Sequence, residues 1–336
     1  GAVYWLLLRP CAGERKSRRR AAVAAGVGGL LLGPSVTLAL YLALSPTYRE
    51  VALTEAAPLR IYMIAVTSRF NIQKAQQLQS SLRRRMGPDD RLAFACRSRC
   101  AKEAAGVLEN IVKVPELPDH FHNIKKCRHA QSKEFPKGKE CTEYEIASIK
   151  YVWALVGEVR RMNAGRLPNY KWWMIMDDDT YVHVPNLMRV IDRTTKDGRP
   201  LHETLVSYAN HEPGCPGICG GGGWLLSGAL AEALVRDYGD AYIRFSMDQL
   251  YNGSFYYDVH VPKVVEWVKG ALNKDLPEMM GFSPGDPICE GRGLKPKLPW
   301  KCVPAAACNC SKAARPATWH LKGNITQHLA VLDATP

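Results

Sequence analysis

The chain has 336 residues, 46% of them apolar and 23% charged, so most of it belongs to a globular body long enough to bury a large core. Its formal net charge is +13, of which residues 1–20 hold +5, six basic side chains against one acid, leaving +8 for the rest. A mildly basic body suits an anionic substrate or a negatively charged surface, and with no RNA- or DNA-reading motif present it gives no indication of nucleic acid.

The first predicted element lies at 21–44, a stretch of 24 residues without a charge and long enough as a helix to cross a bilayer core. Its glycines and proline are tolerated in a membrane span. Arg15, Lys16, Arg18, Arg19 and Arg20 flank its N-terminal side, which places residues 1–20 in the cytoplasm. A cleaved signal peptide is the alternative; the run is longer than a usual signal core and has no small-x-small cleavage site at its end. The expected organisation is a basic tail (1–20), a transmembrane signal-anchor (21–44), a stem (45–58) and a lumenal domain (59–336).

Cysteine usage agrees with a lumenal body. Beyond Cys11 on the cytoplasmic side there are ten, at 96, 100, 127, 141, 215, 219, 289, 302, 308 and 310. An even number past a membrane anchor reads as disulfides in an oxidising compartment, with pairing that sequence does not reveal. Zinc is the rival reading, but none of the close pairs has the C-x2-C spacing. Sequons at Asn252, Asn309 and Asn324 are compatible with the secretory pathway. The expected location is the endoplasmic reticulum or Golgi membrane, single-pass, with the body in the lumen.

Within the body, residues 60–66 (RIYMIAV) read as a strand and the following TSRFNIQKAQQLQSSLRRR has helical spacing. RLAFAC (91–96) and NIVKVP (110–115) read as further buried strands, and 116–140 as a polar loop. Ile146, Ile149, Val152, Leu155 and Val159 recur at three- and four-residue steps, predicting a helix over 142–162. Next comes the strand WWMIM. Strands alternating with helices predict an α/β domain with a mostly parallel sheet, which binds ligands beyond the carboxyl ends of its strands. Residues 283–318, rich in Pro, Gly, Lys and Cys, read as an irregular excursion.

The segment KWWMIMDDDTYVHV, Lys171 to Val184, drives an apolar strand into three aspartates. Strand side chains alternate, so Asp177 and Asp179 project to one side. Carboxylates at a strand end suit a hard divalent cation such as magnesium, manganese or calcium. A solvated acidic turn is the plain alternative, and the EF-hand pattern D-x-D-x-D-G is absent.

WWMIMDDDTYVHVPNLMRVI resembles the strand, Asp-Asp-Asp motif and helix of the Fringe-like β1,3-glycosyltransferases, a group with Fringe, the core-1 galactosyltransferases and the β3-glucosyltransferases. The resemblance recurs in order over residues 58–335, apart from the loops 116–140 and 283–318. IYMIAVTSRF resembles the family's first strand, CGGGGWLLSGALAEALV its glycine-rich turn, strand and helix, YYDVHVPKVVEWV its acidic-Asp-hydrophobic segment, and WHLKGNITQHL its C-terminal segment with a histidine. It implies a GT-A fold, a UDP-sugar donor, a glycan or glycoprotein acceptor and an inverting transfer dependent on Mn2+, with Mg2+ as the alternative ion. By the same resemblance Asp179 and His320 are the metal ligands, with His328 as the substitute for His320. Asp177 and Asp178 contact the donor or metal-bound water, and Asp258 is the base.

Asp258 follows Tyr257 where the family pattern has an acid, and Pro262 stands where it has a small residue. Asp248 is the alternative base, and Asp258 also suits a helix N-cap. Gly221, Gly222 and Gly223 would let backbone approach a sugar where a Cβ would clash, or act as a hinge. Trp224, Tyr256 and Tyr257 would stack on acceptor sugars or pack in the core. An inactive lumenal chaperone or sugar-binding relative on the same fold is the competing function, followed by an unrelated membrane-anchored cation-binding protein.

Overall fold

The computed structural model describes residues 60–117, 146–191, 197–211, 218, 220–252, 257–276, 278–280 and 317–321. They fall within one unit, Pro58–Pro336. The expected tail, anchor and stem lie outside the described residues, as do most of the two loops, His328, Tyr256 and all cysteines except Cys96 and Cys100. Among the described residues no helix is long and apolar enough to cross a membrane.

The first strand, β1 (Ile61–Val66), is buried at all six positions. Tyr62, Ile64 and Val66 enter one core, and Ile61, Met63 and Ala65 enter another, as the two-residue period of a strand dictates. A strand buried on both faces needs helices on both. The helix α1 (Ile72–Arg83) lays Ala75, Leu78 and Leu82 on the second face. Next come β2 (Arg91–Cys96), the short α2 (Ser98–Ala104) and β3 (Ile111–Lys113). The reading of 110–115 as a buried strand needs correction: β3 ends the sheet, so it is only half-buried. Cys96 and Cys100 form a disulfide pair, with Cα atoms 5.4 Å apart.

On the first face lies α3 (Ala147–Asn163), whose Val152, Leu155 and Val159 join the core of Tyr62 and Trp173. The central strand β4 (Trp172–Asp177) follows. Its residues Trp172 through Met176 are at most 1% exposed, with Trp173 and Ile175 facing one core and Trp172, Met174 and Met176 the other. Each fully buried side chain of this kind stabilises the fold by roughly 1.5–3 kcal/mol, so the hydrophobic half of the acidic segment is the spine of the sheet.

Beyond the aspartates come β5 (Thr180–Val182), α4 (Val184–Ile191) and β6 (Val206–Ala209). A 3-10 turn at Gly220–Gly222 leads into β7 (Trp224–Ser227) and the long α5 (Gly228–Tyr251). Ser227 caps α5, its hydroxyl accepting the Leu230 N–H at 3.2 Å. Last are α6 (Tyr257–Trp267), β8 (Leu272–Asp275), β9 (Met279–Met280) and β10 (Thr318–His320).

The main sheet has the order β3-β2-β1-β4-β7-β6-β8. All neighbouring pairs are parallel except those of β7, which runs against β4 and β6. The expected mixed α/β architecture with a mostly parallel sheet is therefore present. A small second sheet, β5-β10-β9, carries the end of the described chain back to the aspartates.

The α6 residue His260 is 3% exposed, its ring edge-on to Phe245 at 5.6 Å. Burial, and then the charge of Lys263, pushes its pKa from 6.5 down to about 4. The folded chain therefore keeps the ring neutral while the unfolded chain protonates it, so the contribution is intact above pH 6.5 and is lost as pH falls toward about 4. His260→Phe should gain stability relative to the parent as pH drops through that window. Urea unfolding at about pH 7.5 and about pH 4.5 checks this, and a difference independent of pH would contradict it.

Candidate functional site

Parallel register fixes where the acidic residues lie. Val66, the last residue of β1, pairs with Asp177, the last residue of β4, so the aspartates emerge at the carboxyl edge of the sheet. Asp177 and Asp179 turn to one side. Asp178 turns to the other, into the junction of β1 and α1, where it is buried. There the Thr67 hydroxyl donates to Asp178 Oδ2 at 2.6 Å and Asn71 Nδ2 donates to Oδ1 at 3.4 Å.

His320 is brought in by strand pairing. β10 runs antiparallel to β5, setting His320 opposite Thr180, and the Leu321 N–H donates to the Asp179 carbonyl at 2.7 Å. Its Nε2 then stands 3.2 Å from Asp179 Oδ1. Asp177, Asp179 and His320 each offer one ligand atom, all within 4.8 Å of one another. Two carboxylates and an imidazole form a donor set that could hold a divalent metal ion. Asp177, expected to contact the donor or a metal-bound water, thus joins the metal-capable group itself.

Burial and like charge raise the pKa of two of the three carboxylates. Burial, and next the charge of Asp179, pushes Asp177 up to about 6, against the pull of His320 and a hydrogen bond from Tyr151. Burial and Asp179 likewise push Asp178 up to about 7. Both shifts arise from negative charge packed at low dielectric, the imbalance that a bound cation relieves.

The glycine turn explains how His320 fits. A Cβ added at Gly221 would land on the His320 ring, 2.8 Å from its Cβ. The turn is tied to both neighbouring strands: the Thr180 hydroxyl donates to the Gly221 carbonyl at 3.0 Å, and the Thr318 hydroxyl to the Gly222 carbonyl at 2.6 Å. Gly223 adopts φ +88°, and a Cβ there would also meet Met174 Cε at 2.7 Å. The group in close approach to Gly221 is therefore the histidine ring.

Asp258 reaches the same turn from the start of α6. Its carboxylate accepts from the backbone N–H groups of Val259 and Gly220, and its charge acts on Asp177. Burial holds its pKa above the usual carboxylate value. Pro262 has no N–H to bond back to the carbonyl four residues earlier. That carbonyl belongs to Asp258, and it accepts the Ile218 N–H at 3.1 Å instead. The proline thus ties the start of α6 to the segment entering the glycine turn. Asp248 is exposed on α5. Trp224 is 1% exposed and belongs to the core, so it offers no face to a ligand.

No family model and no curated protein matches the chain's sequence. Among solved structures it is similar to mouse xyloside xylosyltransferase 1 in its apo form, at 12% identity over 79% of this chain and 97% of that one, with a TM-score of 0.42. It is similar to the galactosyltransferase LgtC in complex with donor and acceptor sugar analogues, at 11% identity over 82% of this chain and 97% of that one, TM-score 0.42. A glycosyltransferase involved in glycosylation of the major capsid of PBCV-1 follows at 11% identity, 82% and 98% coverage, and TM-score 0.39. Likenesses this loose carry no argument, and the functional reading rests on the site.

Thr67, Asn71, Tyr151 and Thr180 are site residues that motif reading missed. The available signal was position alone: Thr67 and Asn71 lie between β1 and α1, and Thr180 directly follows the aspartates, at the carboxyl edge where such sheets bind ligands, while nothing marked Tyr151.

Gly221→Ala should destabilise the fold by about 1–3 kcal/mol, because the His320 strand must shift to admit the methyl. Gly157, in the middle of α3 with nothing within 4 Å of its added Cβ, is the control. Gly157→Ala should stabilise by roughly 0.5–1 kcal/mol. Urea unfolding of both variants reads the contrast, and equal effects would mean that His320 does not occupy the Gly221 notch.

Proposed function

We propose that this chain is a metal-dependent inverting glycosyltransferase of the GT-A, Fringe-like type. It moves a hexose or N-acetylhexosamine from a UDP-sugar to a glycan or glycoprotein acceptor in β1,3 linkage. The observation that carries the reading is the convergence of Asp177, Asp179 and His320 with Asp258 and the glycine turn at the carboxyl edge of a mostly parallel sheet.

Each residue then has a chemical task. Asp177, Asp179 and His320 hold the divalent ion, proposed to be Mn2+. When bound, that ion stabilises the negative charge developing on the departing diphosphate. Asp178, buried and bonded by Thr67 and Asn71, is proposed to serve the donor indirectly, by holding the junction of β1 and α1. Asp258 accepts the proton of the attacking acceptor hydroxyl on the face opposite the leaving group. Burial makes it a stronger base than a solvated carboxylate, while the Gly220 and Val259 N–H groups keep it aimed. Gly222 is the glycine proposed to face the sugar, whereas Gly223 is required by its left-handed φ and its packing on Met174 and Ile175 of β4.

The anchor at 21–44, the basic tail before it and the many cysteines support a single-pass protein of the Golgi or endoplasmic reticulum membrane with the catalytic body in the lumen.

The purified chain should hydrolyse or transfer from one of UDP-galactose, UDP-glucose or UDP-N-acetylglucosamine with Mn2+ and stop on chelation; activity indifferent to chelator would sink the metal role. Asp258→Asn should keep Mn2+-dependent UDP binding and lose transfer by about 100-fold or more. Full transfer by that variant would move the base elsewhere, with Asp248 the next to test.

A further inference from the structure

The hydroxyl of Tyr151 donates a hydrogen bond to Asp177 Oδ1 across the interface between α3 and the end of β4. Tyr151 is 3% exposed, and its helix is anchored in the core by Val152, Leu155 and Val159. The preceding residue, Lys150, is also buried and donates from Nζ to the Thr67 carbonyl at 3.0 Å. Two successive residues of one rigid helix therefore grip the ends of β1 and β4, the two strands from which the aspartates and Thr67 project.

Asp177 is held from its other side as well, its backbone N–H donating to the Thr180 hydroxyl at 3.1 Å. Asp177 and Asp179 share one small region with like charge. Left to themselves, two such carboxylates rotate apart toward water. A donor that binds one oxygen of Asp177 opposes that rotation and leaves the carboxylate its second oxygen for a cation. Groups that bond to ligands in this way set ligand orientation and tune affinity.

We propose that Tyr151 is a positioning residue of the metal centre, holding Asp177 through Oδ1 so that its carboxylate stays beside Asp179 and His320 in a cation-accepting orientation. The inference rests on the reading of that trio as a metal site. A tyrosine present only to pack would be replaced by phenylalanine without consequence for the metal, because the ring alone fills the space.

The test is Mn2+ affinity, measured by isothermal titration on the purified chain with and without UDP, for the parent, Tyr151→Phe, Asp177→Asn and the double variant. Tyr151→Phe should weaken Mn2+ binding by about 10-fold or more while remaining folded by circular dichroism. In the Asp177→Asn background the same change should shift affinity by less than about 2-fold, because the hydroxyl acts through the carboxylate. That second background also removes the buried carboxylate, so the comparison survives poor folding of the single phenylalanine variant. Equal affinity in the parent and Tyr151→Phe, or an equal loss in both backgrounds, would overturn the role of Tyr151 alone. A parent chain that binds no Mn2+ would overturn the metal reading and this inference together.

Discussion

Like charge at the end of a buried strand is the constraint around which this fold is arranged. β4 cannot be moved from the centre of the sheet without exposing two tryptophans and three more large apolar side chains, so its acidic end is fixed in space. Asp177 and Asp179 then crowd one pocket, and burial raises the cost of their charge. The surrounding structure answers with donors and a potential cation rather than with distance. Tyr151 and His320 approach Asp177 and Asp179, while Asp178 is turned away to Thr67 and Asn71.

The second sheet exists to complete that answer. β10 has only three residues, and its pairing with β5 carries His320 across more than a hundred positions of sequence to Asp179. The approach is possible because Gly221 has no side chain, and it is locked by hydroxyls from Thr180 and Thr318 on the adjacent carbonyls. The same turn offers the Gly220 N–H to Asp258, so one short glycine segment links the metal-capable group to the proposed base. Pro262 has a local purpose here, since the carbonyl it frees fastens α6 to Ile218.

Much of this was legible in the residues. The strands at 61–66, 91–96 and 172–177, the helix through Val152 and Val159, and the mostly parallel sheet follow from apolar period and element order. Asp177 and Asp179 were expected on one side and do converge, but β4 ends at Asp177 and the turn after it, not strand alternation, sets Asp178 apart. The half-buried state of β3 was not legible, because its position at the sheet edge depends on which strand finds no further partner. Nor were Tyr151 and Thr67: both are side-chain contacts between elements far apart in sequence, and a helix pattern does not say which strand end its first turns will meet. The glycine turn was read as room for a sugar, whereas at Gly221 the ring of His320 fills the space a side chain would need.

The central claim is that His320 and the aspartates bind one divalent ion together. Pulsed electron paramagnetic resonance of Mn2+ bound to the purified chain tests it most directly, because an imidazole nitrogen on the metal leaves a resolved nuclear coupling. The account predicts that coupling in the parent chain and its loss in His320→Ala. Bound Mn2+ with no nitrogen coupling, or a coupling that persists in His320→Ala, would contradict it.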